Sequence, residues 1–292
     1  MQDYVLMTDT NSDIPWQFVE EHQIPIVHMP YSIEGTEYFD DSGRSGQQKV
    51  FFDAMRNGVV PMTSQLPMEA HMDYQEPIFA SGKDILFLTY SHKLSTNINN
   101  IKAARDELLI KYPERKMIVV DSLSISLPQS ILFAKAYELF EKGMPMEELA
   151  QWMEENKRKT QAYFTVSDLV YLKRGGRISS TAATVGTMLE LKPIITENKE
   201  GSLQSIDKVK GRKKALKALV ERAAEGMDDN NGAYMVVGHA DAPEEAETLV
   251  KMLRDRLPEI PDIKIWDLGY VIGSHCGPGT VAVSFFGKER PY

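Results

Sequence analysis

Several short stretches place small hydroxyl and amide side chains where a ligand could meet them. TDTNSDI (residues 8–14) follows an apolar run and holds Thr8, Asp9, Thr10, Asn11, Ser12 and Asp13. PMTSQLP holds Thr63, Ser64 and Gln65 just before Pro67; YSHKLSTN holds Ser91, His92, Ser95 and Thr96; DSLSIS holds Asp121, Ser122, Ser124 and Ser126. Near the end, GYVIGSHCGPGT (269–280) packs glycines and a proline around His275 and the single cysteine, Cys276. Hydroxyls beside helix N-termini make anion sites, because both offer hydrogen-bond donors to negative oxygen. Ser, Thr, Asp and Asn are also ordinary helix caps, whose side-chain oxygens accept backbone N–H groups. Each loop alone admits the capping role; their recurrence at several strand ends points to a ligand. The glycine-rich stretch stays open among a tight turn, an active site and an anion cradle.

Two further stretches are basic. SDLVYLKRGGRIS (167–179) sets Lys173, Arg174 and Arg177 around a Gly-Gly turn, which reads either as a solvated turn or as a docking patch on an acidic molecule. KVKGRKKALKALVER (208–222) has an apolar helical stripe behind its charges and reads as a solvated helix face. The six histidines, His22, His28, His71, His92, His239 and His275, show no metal-ligand spacing. No phosphate-cradling G-x-x-x-x-G-K-[ST] loop, G-x-G-x-x-G turn or G-x-S-x-G elbow occurs. Cys276 directly follows His275, and sequence neighbours rarely serve as a nucleophile–base pair.

A net charge of −9 argues against broad nucleic-acid binding, which requires basic surface to displace counterions. The 42% hydrophobic and 26% charged content is that of a globular protein, and no apolar run reaches the ~18 residues of a membrane span. The N-terminal MQDYVLMTD lacks the basic start and cleavage site of a secretory signal, and one cysteine fits a reducing cytoplasm. A cytoplasmic protein without an integral membrane segment is expected.

The elements that must carry these loops alternate along the chain. Strands are predicted at residues 4–9, 24–29, 85–90, 117–121, 162–167, 234–240, 263–269 and 280–286. Their nearly continuous apolar character suggests parallel strands buried on both faces. Helical stripes run through Met146, Leu149, Ala150 and Met153, through Leu216, Leu219, Val220 and Ala223, and through Ala246, Leu249, Val250 and Leu253. Asp241, Pro243 and Glu244 read as the cap and first turn of the last of these helices. At 292 residues the chain suits one large or two medium α/β domains, and the polar NKRKT run marks a boundary at about residue 160. The expected units are residues 1–160 and 161–292.

Taken in order, TDTNSDI, TSQ, SHKLSTN, DSLSIS, DLVYLKRGGRIS, LKPII, KVKGRKKAL and GSHCGPGT resemble the DegV family, fatty-acid-binding proteins that act as the B subunit of bacterial fatty acid kinase. The resemblance implies two α/β domains with an apolar tunnel between them that holds a long-chain fatty acid. It implies that Thr63, Ser64, Ser95 and His275, with Ser91 a further candidate, bind the carboxylate. It implies that Lys173, Arg174 and Arg177 dock a kinase catalytic subunit. That partner would phosphorylate the bound carboxylate to an acyl phosphate that feeds phospholipid synthesis. No cofactor, metal or catalytic residue of the chain's own is implied. Thr96 departs from the family's usual S-G-T, where glycine lets the backbone approach closely. The competing readings are a small-substrate kinase subunit or hydrolase using His275, and a carrier of another amphipathic anion.

Overall fold

The computed structural model describes residues 3–178, 191–228 and 234–292; Ser179, the last residue of the basic stretch, lies outside them. Thirteen strands are seen among the described residues. They are β1 (Tyr4–Asp9), β2 (Ile26–Val27), β3 (Pro30–Ile33), β4 (Thr36–Phe39), β5 (Met62–Thr63), β6 (Asp84–Thr89) and β7 (Met117–Asp121), followed by β8 (Thr160–Thr165), β9 (Leu191–Glu197), β10 (Leu203–Lys210), β11 (Met235–His239), β12 (Ile263–Asp267) and β13 (Val281–Phe286). They form a four-stranded sheet in the order β2-β1-β6-β7, a three-stranded sheet β4-β3-β5, and a six-stranded sheet β10-β9-β8-β13-β11-β12. The architecture is mixed α/β.

The first sheet is parallel throughout, as its apolar runs suggest. The six-stranded sheet is not: only β11 and β12 run parallel, and its other pairings are antiparallel. Its inner strands β11 and β13 are nonetheless buried on both faces because helices cover both. Val281, Val283 and Phe285 of β13 join Leu216, Leu219, Leu249 and Leu253 of the helices Arg212–Gly226 and Pro243–Arg256. The alternate residues Ala282 and Phe286 face Leu127 and Ile131 of the helix Leu127–Glu141. Side chains alternate across a strand, so a continuous apolar run reports coverage of both faces and carries no information on strand direction.

Asp241 does not cap the helix Pro243–Arg256. Ala242 precedes that helix without a side-chain cap, while Asp241 sits at φ 49° and pairs its carboxylate with Arg56 of the helix Gln48–Arg56. The ion pair joins segments 185 residues apart, and a second guanidinium nitrogen donates to the Asp241 carbonyl at 3.1 Å.

The glycine-rich stretch is a helix, Tyr270–Cys276, followed by a turn through Gly277 and Gly279 at φ 77° and 81°. Its N-terminus is held by two buried carboxylates from the other end of the chain. Gly269 N–H donates to Asp13 Oδ1 at 2.8 Å, and Val271 N–H donates to Asp40 Oδ2 at 3.1 Å. Carboxylates are favoured there because a helix N-terminus presents unpaired amides and partial positive charge. Gly269 leaves them room: a Cβ would lie 2.6 Å from Asp40 Oδ2 and 2.8 Å from Asp13 Oδ1. The same helix packs Gly273 against Phe52 so closely that a Cβ would sit 2.7 Å from the ring.

Burial pushes several carboxyls up: Asp9 to about 7, Asp40 to about 6, Glu197 to about 7, and Asp13 well above its usual range. These groups bind protons more tightly folded than unfolded, so the stability they confer is complete below the ordinary carboxylate range and, for Asp9, Asp40 and Glu197, is lost as pH rises through 6–7. The imidazoles of His71, His239 and His275, held below their ordinary value by burial, act in the opposite sense, losing stability as pH falls below about 6.5. Between pH 6.5 and 8.5 the carboxyls dominate. Thermal melts should therefore show Tm falling by several degrees across that window; a flat or rising Tm would show that the buried carboxyls ionise without cost.

Candidate functional site

In the parallel sheet the chain passes from β1 to β2 on one side and from β6 to β7 on the other, so β1 and β6 flank a topological switch point. Their carboxyl-end loops splay apart there and leave a crevice, the usual seat of a ligand in open α/β sheets. A cavity of about 370 Å³ lies at this place. Asn11 enters from the loop after β1, Tyr90, Leu94 and Ser95 from the loop after β6, and Thr63, Ser64 and Gln65 from the end of β5. The opposite wall is Ala162 and Phe164 of β8, Ala282 of β13, Leu172, and Val271, Ile272, His275 and Cys276 of the glycine-rich helix. Both halves of the sequence thus line one cavity.

Several polar groups line the cavity. His275 Nε2 and Thr63 Oγ1 are 2.9 Å apart. The ring's other face is closed by Gly175, where a Cβ would fall 2.3 Å from Nδ1. Burial first, and the Arg177 guanidinium second, push the His275 imidazole down to about 4, so it is neutral at physiological pH with one N–H to give. Arg177 itself lines the cavity and donates from Nη1 to the Gly175 carbonyl. Ser95 Oγ accepts Asn97 N–H at 3.3 Å and stands 3.5 Å from the Tyr90 hydroxyl. Gln65 Nε2 donates to Thr96 Oγ1 at 2.8 Å, and Asn100 Nδ2 donates to the Leu66 carbonyl at 2.8 Å, which joins the loop after β5 to the helix Asn97–Lys111.

Of the residues singled out from sequence, Thr63, Ser64, Ser95 and His275 all line this cavity, and Thr63 and His275 touch each other. Ser91 is not among the lining residues. It is buried, its Oγ accepts Lys93 N–H at 3.2 Å, and it packs against Gly201. Lys173 and Arg174 lie exposed on the helix Val170–Arg174, whereas Arg177, grouped with them by sequence, turns inward to the cavity because the Gly175-Gly176 turn reverses the chain. Thr96 sits at φ −87°, open to any residue, with its side chain outward to Gln65, so no glycine is required there. Burial pushes the Cys276 thiol up to about 12, which leaves no thiolate for nucleophilic chemistry. Asn11, Tyr90 and Glu197 also line the cavity. Asn11 was visible within TDTNSDI, and Tyr90 opens YSHKLSTN, both at strand ends; nothing in the sequence around Glu197 marks it. Among the described residues no group of three or more His, Cys, Asp or Glu side chains is placed to hold a metal ion, and no helix is long and apolar enough to cross a membrane.

This arrangement can be set beside known proteins. The family model described as DegV matches residues 4–288. The chain belongs to the DegV family. It is 39% identical over 290 residues to a DegV domain-containing protein of Clostridium perfringens, with 99% of each chain covered. Its structure is similar to that of a DegV lipid-binding protein from Thermotoga maritima, at 29% identity and a TM-score of 0.86, covering 99% of this chain and all of that one. It is similar as well to a fatty-acid-binding DegV family protein from Thermus thermophilus, at 27% identity and a TM-score of 0.85, covering 98% of this chain and all of that one. The DegV fold therefore extends over the whole described chain.

An NMR titration of the His275 imidazole should give a midpoint near 4, and Arg177→Gln should move it upward by removing a neighbouring cation. A midpoint at the ordinary value of about 6.5 would mean that the ring is solvated.

Proposed function

We propose that the cavity holds a long-chain fatty acid, with its tail along Phe164, Leu172 and Ala282 and its carboxylate at Thr63, Ser64, Ser95 and His275, and that the chain presents that carboxylate to a kinase catalytic subunit for phosphorylation to an acyl phosphate used in phospholipid synthesis. The observation that carries this reading is the mixed lining of the cavity: the hydroxyls of Thr63, Ser64 and Ser95, a neutral imidazole and a guanidinium share it with the apolar side chains of Phe164, Leu172, Val271 and Ala282. Lipid binding by the Thermotoga maritima relative and fatty acid binding by the Thermus thermophilus one support it. Each buried methylene contributes ~0.8 kcal/mol, so a sixteen-carbon tail supplies about 10 kcal/mol before the costs of ordering. The head group needs its oxygens satisfied, and hydroxyl and imidazole donors do this, with Arg177 supplying opposite charge at the cavity wall.

Residues 1–160 and 161–292 act in this reading as two domains that close on the ligand, since each supplies part of the wall. The chain holds its ligand and leaves chemistry to the partner. An imidazole pushed down to about 4 is a weak base for activating the Thr63 hydroxyl, which weighs against the hydrolase reading. The exposed Lys173 and Arg174, close to Arg177 at the carboxylate end, are the proposed docking surface for the kinase subunit.

Native mass spectrometry of protein purified from bacteria should show a bound acyl chain. A protein that arrives empty and stays empty with palmitate or oleate would overturn the assignment. His275→Ala should weaken fatty acid binding or transfer roughly tenfold, the worth of a lost hydrogen bond to a charged group, with little change in folding. Arg174→Ala should leave binding unchanged while it slows acyl phosphate formation by the partner; slowed binding with normal phosphorylation would displace the docking site.

A further inference from the structure

One edge of the six-stranded sheet is left open beside a groove. β12 pairs only with β11 among the described residues, so the backbone groups along its other side have no strand to bond. A free edge of this kind is a template for a further strand. A groove of about 770 Å³ is lined by four consecutive residues of β12, namely Lys264, Ile265, Trp266 and Asp267. Successive side chains of a strand point to opposite faces, so a groove that meets four in a row takes in the strand's edge. It is lined as well by the first half of the chain, with Trp16 and Glu21 of the helix Trp16–Glu21. It shares no lining residue with the cavity described above.

The charges and rings of the groove decide what such a strand would carry. Asp13 and Asp241 are engaged, by Gly269 N–H and by Arg56, and Lys49 is paired with Asp53. That leaves the carboxylates of Glu21 and Asp267, neither of which meets a lysine or arginine among the described residues, against the single ammonium of Lys264. Trp16 and Trp266 are partly exposed, and an indole face attracts a cation, most often a guanidinium. Arginine is also the cation that meets a carboxylate with two parallel hydrogen bonds. His239, 7% exposed, lines the same groove. Its Nδ1 accepts Ala242 N–H at 3.4 Å, which puts the ring proton on Nε2, a donor suited to a peptide carbonyl. The geometry points to a docking groove for an extended, arginine-bearing segment of another protein, which adds a strand to the free edge of β12 and sets its guanidinium groups against Glu21, Asp267 and the two indoles. A second copy of this chain suits the groove less well, because its β12, Ile263–Asp267, brings no arginine.

The test uses the full chain and three blocked heptapeptides, followed by tryptophan emission and calorimetry. The first alternates valine and arginine, the second alternates valine and glutamate, and the third repeats the first with every backbone nitrogen methylated. The first should bind about tenfold more tightly than either of the others, the worth of one hydrogen bond to a charged group. The second peptide reverses the charge; the third keeps the charge and cannot pair as a strand. Equal binding of the arginine and glutamate peptides, or of the methylated and unmethylated ones, overturns the proposal, as does failure of all three to bind. Glu21→Lys combined with Asp267→Lys should weaken the first peptide about tenfold with an unchanged circular dichroism spectrum. Undiminished binding by that folded variant places the peptide elsewhere and overturns the groove. The peptide comparisons on the wild-type chain stand whether or not the variant folds. A wild-type dimer that Ile265→Arg breaks and that excludes the peptide would give the edge to a second copy and overturn the proposal.

Discussion

Two carboxylates on the amide end of one short helix hold the functional part of this protein together. Asp13 follows β1 and Asp40 follows β4, and both accept N–H groups at the start of the helix Tyr270–Cys276, more than 200 residues later in the chain. Few other connections between such distant segments are as buried. They set the axis of the helix, and the helix axis sets where His275 stands relative to Thr63. The arrangement needs Gly269, because the carboxylates occupy the space a side chain would take. Within TDTNSDI the capping role falls to Asp9, which accepts Asn11 N–H at the start of the short 3-10 helix Thr10–Ser12, while Asp13 is committed to a helix at the far end of the sequence.

The electrostatics of the cavity follow from burial. A solvated imidazole would be partly charged near neutrality; this one is desolvated and faces Arg177, and is neutral. The cavity thus offers hydrogen bonds from hydroxyls and a neutral ring, with the guanidinium of Arg177 for charge. Such a set suits a carboxylate attached to an apolar chain, because the rest of the wall has little to offer a strongly hydrated ligand. Membership in the DegV family agrees with that chemistry.

Much of this was legible in the sequence where the signal is local. β1 and β7 begin and end at the residues the apolar runs indicate, and the helices at Met146–Asn156, Arg212–Gly226 and Pro243–Arg256 follow their stripes. Thr63, Ser64, Ser95 and His275 could be picked out because hydroxyl-rich loops at strand ends, and the motifs they form, are contiguous. The edge strand β4 escaped because its four residues are all exposed and carry no burial pattern. Strand direction in the six-stranded sheet escaped because burial on both faces looks the same either way. Glu197 escaped because its place at the cavity depends on register between distant strands. Arg177 was seen but grouped with its neighbours, since a Gly-Gly turn does not reveal on which side the next residue emerges.

The contact between Gly175 and His275 joins the outside of the molecule to its interior. The backbone of Gly175 lies against the imidazole with no room for even a methyl group, and Arg174, its immediate neighbour, is exposed. Gly277, just past His275, is pressed in the same way against the ring of Tyr171. The surface turn and the end of the helix are therefore packed without slack, and a side chain added at Gly175 or Gly277 would have to push aside a ring before it could be seated.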